Sequence, residues 1–288
     1  FYECKIENLF VPKKVTLIDE YAFASNLALK HIEFEDDSNL QIIGKHAFQH
    51  TSIENILIPS RVNLIQEESF SLCFNLTKFE VAENSELKEI EKNAFDGSFI
   101  KSISLPSSIV RLKKGWNNSL SNLSQIEIKE NKDKNISLFE GNLIVGKTDL
   151  NDDKYNVLVL GCKNIKRITI PSFITFIAPY AFCGSELESV SIPKEVVRIC
   201  ENSFSKCRKL KEFIFENNSD LRTIEKDAFL ESEIESISIP SSVVDLQEGL
   251  HFRKNSLRNV TITKCKQENI IYYKNILIIG KSQKNNDI

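Results

Sequence analysis

The chain has 288 residues, 41% hydrophobic and 27% charged, with a formal net charge of −3. That composition belongs to a folded protein, and without a basic surplus it argues against a nucleic-acid binder. No apolar run reaches the ~18 residues that a membrane helix needs, so membrane insertion is not expected within these residues.

Internal periodicity organises the chain from its first residues. The dipeptide Ala/Ser-Phe recurs at Phe23, Phe48, Phe70 and Phe95, then at Phe182, Phe204 and Phe229, with spacings that alternate between 25 and 22 within each run. Pro12, Pro59, Pro106, Pro171, Pro193 and Pro240, six of the seven prolines, hold one place in this frame. In the unit Leu187–Lys209, Val190 and Ile192 alternate with Ser189 and Ser191, which predicts one short half-buried strand. Pro193 lacks an N–H and is expected to end that strand. A second apolar stretch, Val196 to Phe204, returns along the opposite wall. One such coil cannot bury its apolar face alone; stacked on its neighbours it builds a continuous core, with the phenylalanines as an internal spine. Units of a second kind replace the proline with a longer acidic turn, in the segments 34–43, 81–90 and 215–224, and that insertion accounts for the 22/25 alternation.

After Ile128 the unit is interrupted. Two apolar runs, Leu143–Val145 and Val157–Leu160, flank a polar segment centred on Asn151-Asp152-Asp153, and the stretch at about 137–164 reads as a β-hairpin insertion. Adding 134 carries Ile53 to Leu187, Leu76 to Leu210, Ile100 to Ile234 and Leu123 to Leu257, so a multi-coil block is duplicated. The second block reaches a truncated copy of the hairpin at about 270–288. Ile276–Ile279 is expected to lack its hairpin partner, and the tail from Ser282 to be mobile. Methionine is absent, initiator included, so the sequence reads as a processed form or an excised segment.

The unit LxxIxIPxxVxxIxxxAFxxCxx, matched by Ile168, Ile170, Pro171, Ile174, Ile177, Ala181 and Phe182, resembles the BspA-type, or Treponema pallidum-type, leucine-rich repeat. The resemblance spans nearly the whole chain. It implies a β-rich, right-handed leucine-rich-repeat solenoid over 1–288 with a parallel sheet on its concave face. It also implies kinship with surface proteins of host-associated bacteria and of protist parasites such as Trichomonas and Entamoeba. From that kinship would follow a non-enzymatic adhesion module at the cell surface, recognising a protein ligand such as fibronectin or fibrinogen. An intracellular protein-interaction scaffold of the same architecture is the alternative. The frame departs at Gly115-Trp116 and Gly249-Leu250, where Ala-Phe is lost.

Several segments carry the appearance of chemistry. Gly141–Thr148 satisfies G-x-x-x-x-G-K-[ST]. A phosphate loop needs a flexible turn entering a helix N-terminus, whereas Asn142–Val145 has strand composition and a polar turn follows. His46 and His50 have the i, i+4 spacing of a helical metal site, but the segment is one turn long and reads as solvated turn residues. No catalytic residues, cofactor or metal ligands are therefore assigned. Cys73 and Cys207 fall three residues after a spine phenylalanine and read as small buried side chains. No adjacent pair of cysteines shares a register, so mostly unbridged thiols are expected, which favours a reducing compartment. Six Asn-x-Ser/Thr sequons occur, at Asn75, Asn117, Asn122, Asn135, Asn217 and Asn259.

The candidate binding face comprises the residue between the two inward positions of each strand, which points outward onto the concave sheet. In order these are Phe10, Glu33, Leu57, Glu80, Ser104, Glu127, Thr169, Ser191, Ile214, Ser238 and Thr261. The uncharged stretch from Thr169 to Thr261 is the preferred contact, since a partner loses little by desolvating it.

Overall fold

The computed structural model describes residues 1–247, 257–263, 271–273 and 276–278. The chain divides into two compact units, the first Phe1–Tyr155 with Leu160–Asn164, the second Asn156–Val159 with the residues from Ile165 onward. The first unit contains β1 (Asn8–Val11), β2 (Leu17–Ile18), β3 (His31–Phe34), β4 (Ile42–Ile43), β5 (Asn55–Ile58), β6 (Leu64–Ile65), β7 (Lys78–Val81), β8 (Glu89–Ile90), β9 (Ser102–Pro106), β10 (Arg111–Leu112), β11 (Gln125–Lys129), β12 (Ile136–Phe139) and β13 (Leu143–Gly146). Then follow β14 (Val157–Gly161), β15 (Arg167–Thr169), β16 (Phe176–Ile177), β17 (Ser189–Ile192), β18 (Arg198–Ile199), β19 (Glu212–Phe215), β20 (Thr223–Ile224), β21 (Ser236–Pro240), β22 (Asp245–Leu246), β23 (Asn259–Thr263), β24 (Ile271–Tyr273) and β25 (Ile276–Ile278). No helix occurs among the described residues.

Each unit is a β-solenoid with two parallel sheets. In the first, β1 pairs with β3, β5–β7–β9–β11 continue the long-strand side, and the two-residue strands β2–β4–β6–β8–β10 form the back. In the second, β15–β17–β19–β21–β23 form the long-strand sheet. Its back runs β16–β18–β20–β22, with β14 joining through Val157↔Phe176 and Leu158↔Ile177. The alternation read at Ser189–Ile192 is realised, with Val190 and Ile192 buried. Five residues of β9 pair with β11, but its register with β7 stops after Lys78↔Ser102 and Phe79↔Ile103. The same short register recurs 134 residues on, at Glu212↔Ser236 and Phe213↔Ile237.

The prolines do more than stop strands. All six carbonyls of the frame accept the N–H three residues on: Val15, Val62, Ile109, Ile174, Val196 and Val243. Proline thus opens a tight turn, and Pro106 and Pro240 are themselves the last residues of β9 and β21. In the acidic units a serine performs this task. The Ser38, Ser85 and Ser219 hydroxyls, all buried, accept the N–H of Leu40, Leu87 and Leu221 at 3.3 Å.

The spine rings stack through each core. Phe23, Phe48, Phe70 and Phe95 follow one another at centroid separations of 5.5, 5.5 and 6.0 Å, and Phe182, Phe204 and Phe229 at 5.4 and 6.0 Å. Phe1 stacks on Phe23 at 5.5 Å and belongs to the same spine. Phe79 and Phe213, 134 residues apart, close edge-on against Phe70 with Phe95 and against Phe204 with Phe229.

The turn that holds each ring is left-handed at both ends. Residues two before and two after every spine phenylalanine from Phe23 on have positive φ, as at His46 and His50 or Asn202 and Lys206, and only Gly97 and Gly184 among these fourteen are glycines. Hydrogen bonding over-determines the turn. His46, Phe48 and His50 donate their N–H groups to Glu67, Ser69 and Ser71 of the next coil, while Ala47 and Gln49 bond back within the turn. Gly115 continues this pattern, placing Trp116 and Asn117, both buried, at the Ala and Phe positions, so the coil persists where the motif is lost. Gly249-Leu250 lies outside the described residues.

The hairpin forms earlier than expected. β12 and β13 pair antiparallel, Phe139↔Leu143 to Ile136↔Gly146, across a turn in which Glu140 and Gly141 have positive φ. The expectation that Ile276–Ile279 lacks a partner is corrected by the same arrangement, because β25 pairs antiparallel with β24 upstream of it. The tail from Ser282 lies outside the described residues.

Candidate functional site

The row read from strand periodicity lies on the long-strand sheets. Register aligns Phe10 with Glu33, Leu57 with Glu80 and Ser104 with Glu127 in the first unit. In the second, Thr169, Ser191 and Ile214 align, as do Ser238 and Thr261. Phe10, Leu57 and Ile214 stand 54%, 57% and 51% exposed. Glu33, Glu127, Thr169 and Thr261 are exposed, and Glu80, Ser191 and Ser238 half-buried.

Ser104 departs from the expectation. Its side chain is 2% exposed, and its hydroxyl accepts the Val81 N–H at 2.9 Å. Where the β7–β9 register stops, this hydroxyl replaces a ladder carbonyl and draws the short side chain against the sheet. Ser104 is a structural residue and not part of the contact row.

The three glutamates differ electrostatically. Glu80 pairs with Lys78 at 2.8 Å, and Lys129 bridges Glu127 at 3.0 Å to Glu83 at 2.9 Å. Hydrogen bonds to Glu83 and Glu127 hold the Lys129 ammonium well above its ordinary pKa. Glu33 has no ion-pair partner among the described residues, so of the three it alone keeps its charge uncompensated. It lines a cleft of about 340 Å³ with Leu57, Asp36 and Asp37, beside the gap in pairing between β3 and β5. A second cleft, of about 420 Å³, gathers Ile214, Ser238 and Thr261 with Phe215 and Asn217.

The residues weighed for chemistry fall out as follows. Leu143–Gly146 is strand, and its backbone is committed to the β12 ladder instead of a phosphate cradle. His46 is buried, stacked on Tyr21 at 4.5 Å with Nδ1 3.5 Å from Glu68, which corrects its reading as a solvated turn residue. His50 is half-buried and meets Phe74 edge-on. Among the described residues no group of three or more His, Cys, Asp or Glu could hold a metal, and no helix is long and apolar enough to cross a membrane.

Cys73 and Cys207 are fully buried and belong to ladders three residues after the spine rings, with Thr51 3.3 Å from Cys73 and Ser185 3.2 Å from Cys207. Their thiols donate to the Phe48 and Phe182 carbonyls at 3.1 Å. Burial pushes the Cys73 thiol up to about 11, and burial with Glu225 nearby pushes Cys200 up to about 12. The six described cysteines form no disulfide. Of the sequons, Asn117 and Asn135 are buried, and Asn135 donates its amide to the Ser108 carbonyl at 3.1 Å; Asn75, Asn122, Asn217 and Asn259 are exposed.

A model of the family described as BspA type leucine rich repeat region matches residues 1–124 and 160–258, in six copies. Among solved structures, the pneumococcal vaccine antigen PcpA superposes with a TM-score of 0.74 at 22% identity, over 89% of this chain and 62% of that one. The chain thus spans less than two thirds of PcpA. A leucine rich cell surface protein from Faecalibacterium prausnitzii matches with a TM-score of 0.64 at 21% identity, over 89% and 79%. A leucine-rich repeat protein from Eubacterium ventriosum matches with a TM-score of 0.51 at 16% identity, over 92% and 86%. At these identities the likeness is one of fold. No curated protein matches the chain.

Proposed function

The chain belongs to the BspA-type leucine-rich repeat family, and from that premise we propose that it is a non-enzymatic protein-binding module displayed at the cell surface. Its ligand is a protein of the host cell or extracellular matrix, fibronectin and fibrinogen being the first to test. The observation that carries this reading is the exposure of Phe10, Leu57 and Ile214, each above half, on the outward side of hydrogen-bonded sheets. Anchors held on a pre-ordered sheet bind without the cost of ordering a loop, and repeat proteins commonly recognise partners through such an extended face. The stretch Thr169–Thr261 is the main contact, because covering Thr169, Ser191, Ser238 and Thr261 desolvates hydroxyls and no charge. The printed descriptions of two structural relatives, a vaccine antigen and a cell surface protein, support the surface location.

The test is saturable binding of the purified chain to immobilised fibronectin or fibrinogen, together with antibody staining of intact, unpermeabilised cells. Binding to neither protein, and no stain on intact cells, would remove the proposal. An intracellular interaction scaffold is the second reading, favoured by the six described cysteines that remain unbridged; staining that needs permeabilisation would select it.

A further inference from the structure

The edge leading from the phenylalanine turn into each long strand is built differently in the two units. In the first it exposes Leu27, Leu72, Phe74 and Phe99, with Phe74 6.5 Å from Phe99 and 6.1 Å from the His50 ring. Beside these side chains runs a row aligned by backbone bonds: Thr77 N–H to Glu54 O, Lys101 N–H to Thr77 O, and Ser124 N–H to Lys101 O. Glu54 and Lys101 are exposed and have no ion-pair partner among the described residues. At the positions 134 residues on, Leu72, Phe74 and Phe99 become Lys206, Arg208 and Glu233. There the charges close on one another, Arg208 with Glu231 at 3.7 Å, Lys209 with Glu186 at 3.4 Å and Lys211 with Glu235 at 3.6 Å. Arg208, Lys211, Glu188 and Glu233 line one cleft in the second unit, so these register positions share a single surface.

We propose that this edge of the first unit is the contact of a homodimer. A twofold axis passes beside Thr77, Phe74 packs against its own counterpart, and Glu54 of each copy faces Lys101 of the partner subunit. A twofold axis reverses the order of the row. Glu54 and Lys101 lie one coil to either side of Thr77, so reversal brings each onto a residue of opposite sign. The row is therefore complementary to itself. Two half-exposed phenylalanines and two leucines leave on the order of 300 Å² of apolar surface per copy. Doubled and rimmed with polar groups, that suits an interface of roughly 1,200 Å² in total, the low end for specific association. The dimer consequently assembles in the micromolar range. None of its central residues belongs to the outward row of the long strands, so it stands or falls independently of the ligand.

Sedimentation equilibrium of the whole chain tests it. A monomer–dimer equilibrium with micromolar Kd is expected. Phe74→Arg places in the first unit the residue the second unit carries at that position, so the coil tolerates it, with the far-ultraviolet spectrum and melting temperature as the check. It is expected to raise Kd about 30-fold or more. Glu54→Lys and Lys101→Glu should each raise Kd about tenfold, and the double variant should return it toward the starting value. A chain monomeric to submillimolar concentration, a dimer indifferent to Phe74→Arg, or a double variant weaker than both single ones would overturn the proposal.

Discussion

The two units share an interior and differ on the outside. Phe70 touches the rings of Phe48, Phe79 and Phe95, and Phe204, 134 residues later, touches those of Phe182, Phe213 and Phe229. Ser85 and Ser219 close the same turn, and Cys73 and Cys207 fill the same place in a ladder. Outward positions have diverged. Leu57 and Glu80 correspond to Ser191 and Ile214, and the apolar edge at Phe74 and Phe99 to Arg208 and Glu233. A buried residue in a stack meets the coil before and the coil after, so a change there disturbs both neighbours. An outward residue answers mainly to solvent. Duplication of such a block keeps the frame and leaves recognition free to vary.

The shared interior can be broken symmetrically. Phe70→Ala and Phe204→Ala should each cost about 3–5 kcal/mol and agree within about 1 kcal/mol, because each ring has three aromatic neighbours; denaturant titration with hydrogen exchange resolved by unit measures this. A large inequality would mean that the two cores are not equivalent.

A smaller effect separates the thiols. Cys73 is held up at about 11 and Cys200 at about 12, against an ordinary value of 9.0. Raised values in the folded state mean that stability is intact below pH 9 and falls as pH climbs through about 11 and 12. For Cys73 the loss is on the order of 2 kcal/mol by pH 11. Cys73→Ser should flatten that part of the pH profile, and exposed Cys4 should react with a thiol reagent at pH 8 long before Cys73 does.

The smallest effects sharpen the frame itself. The Ser69 and Ser203 hydroxyls are buried without hydrogen-bond partners, where other coils have alanine, so Ser69→Ala and Ser203→Ala should be neutral or stabilise by up to about 1 kcal/mol. Ser85→Ala and Ser219→Ala, which remove the acceptor for Leu87 and Leu221, should instead cost about 1 kcal/mol. Thermal melts of the four variants decide the sign.

The coil frame is written plainly in the sequence because Phe, Ala and Pro recur in register and period 2 marks the strands. Phe1 escapes the Ala/Ser-Phe dipeptide because no residue precedes it. The left-handed turns escape because His, Glu, Asn, Tyr and Lys occupy positions that glycine usually advertises; only the coil-to-coil hydrogen bonds show why they are tolerated. β12 is masked by Ser137 and its polar flanks, so the stronger run at Val157–Leu160 draws the eye as the hairpin partner. In the candidate row, period 2 identifies the outward residue, but it cannot tell that a serine hydroxyl will turn inward onto Val81 N–H. Nor does it show which of Glu33, Glu80 and Glu127 meets a lysine, since that depends on side chains two residues along the strand or a coil away.

The central claim is that a partner protein is held by the outward row of the long strands, chiefly in the second unit. Ile214→Glu and Leu57→Glu, compared in one binding titration against a captured ligand, test it most directly. Both side chains lie outside the core, so both variants should fold with unchanged melting temperature. Ile214→Glu is expected to weaken binding by about tenfold or more and Leu57→Glu by less. Unchanged affinity in both, with binding lost instead on editing Asn151–Asp153, would contradict the claim.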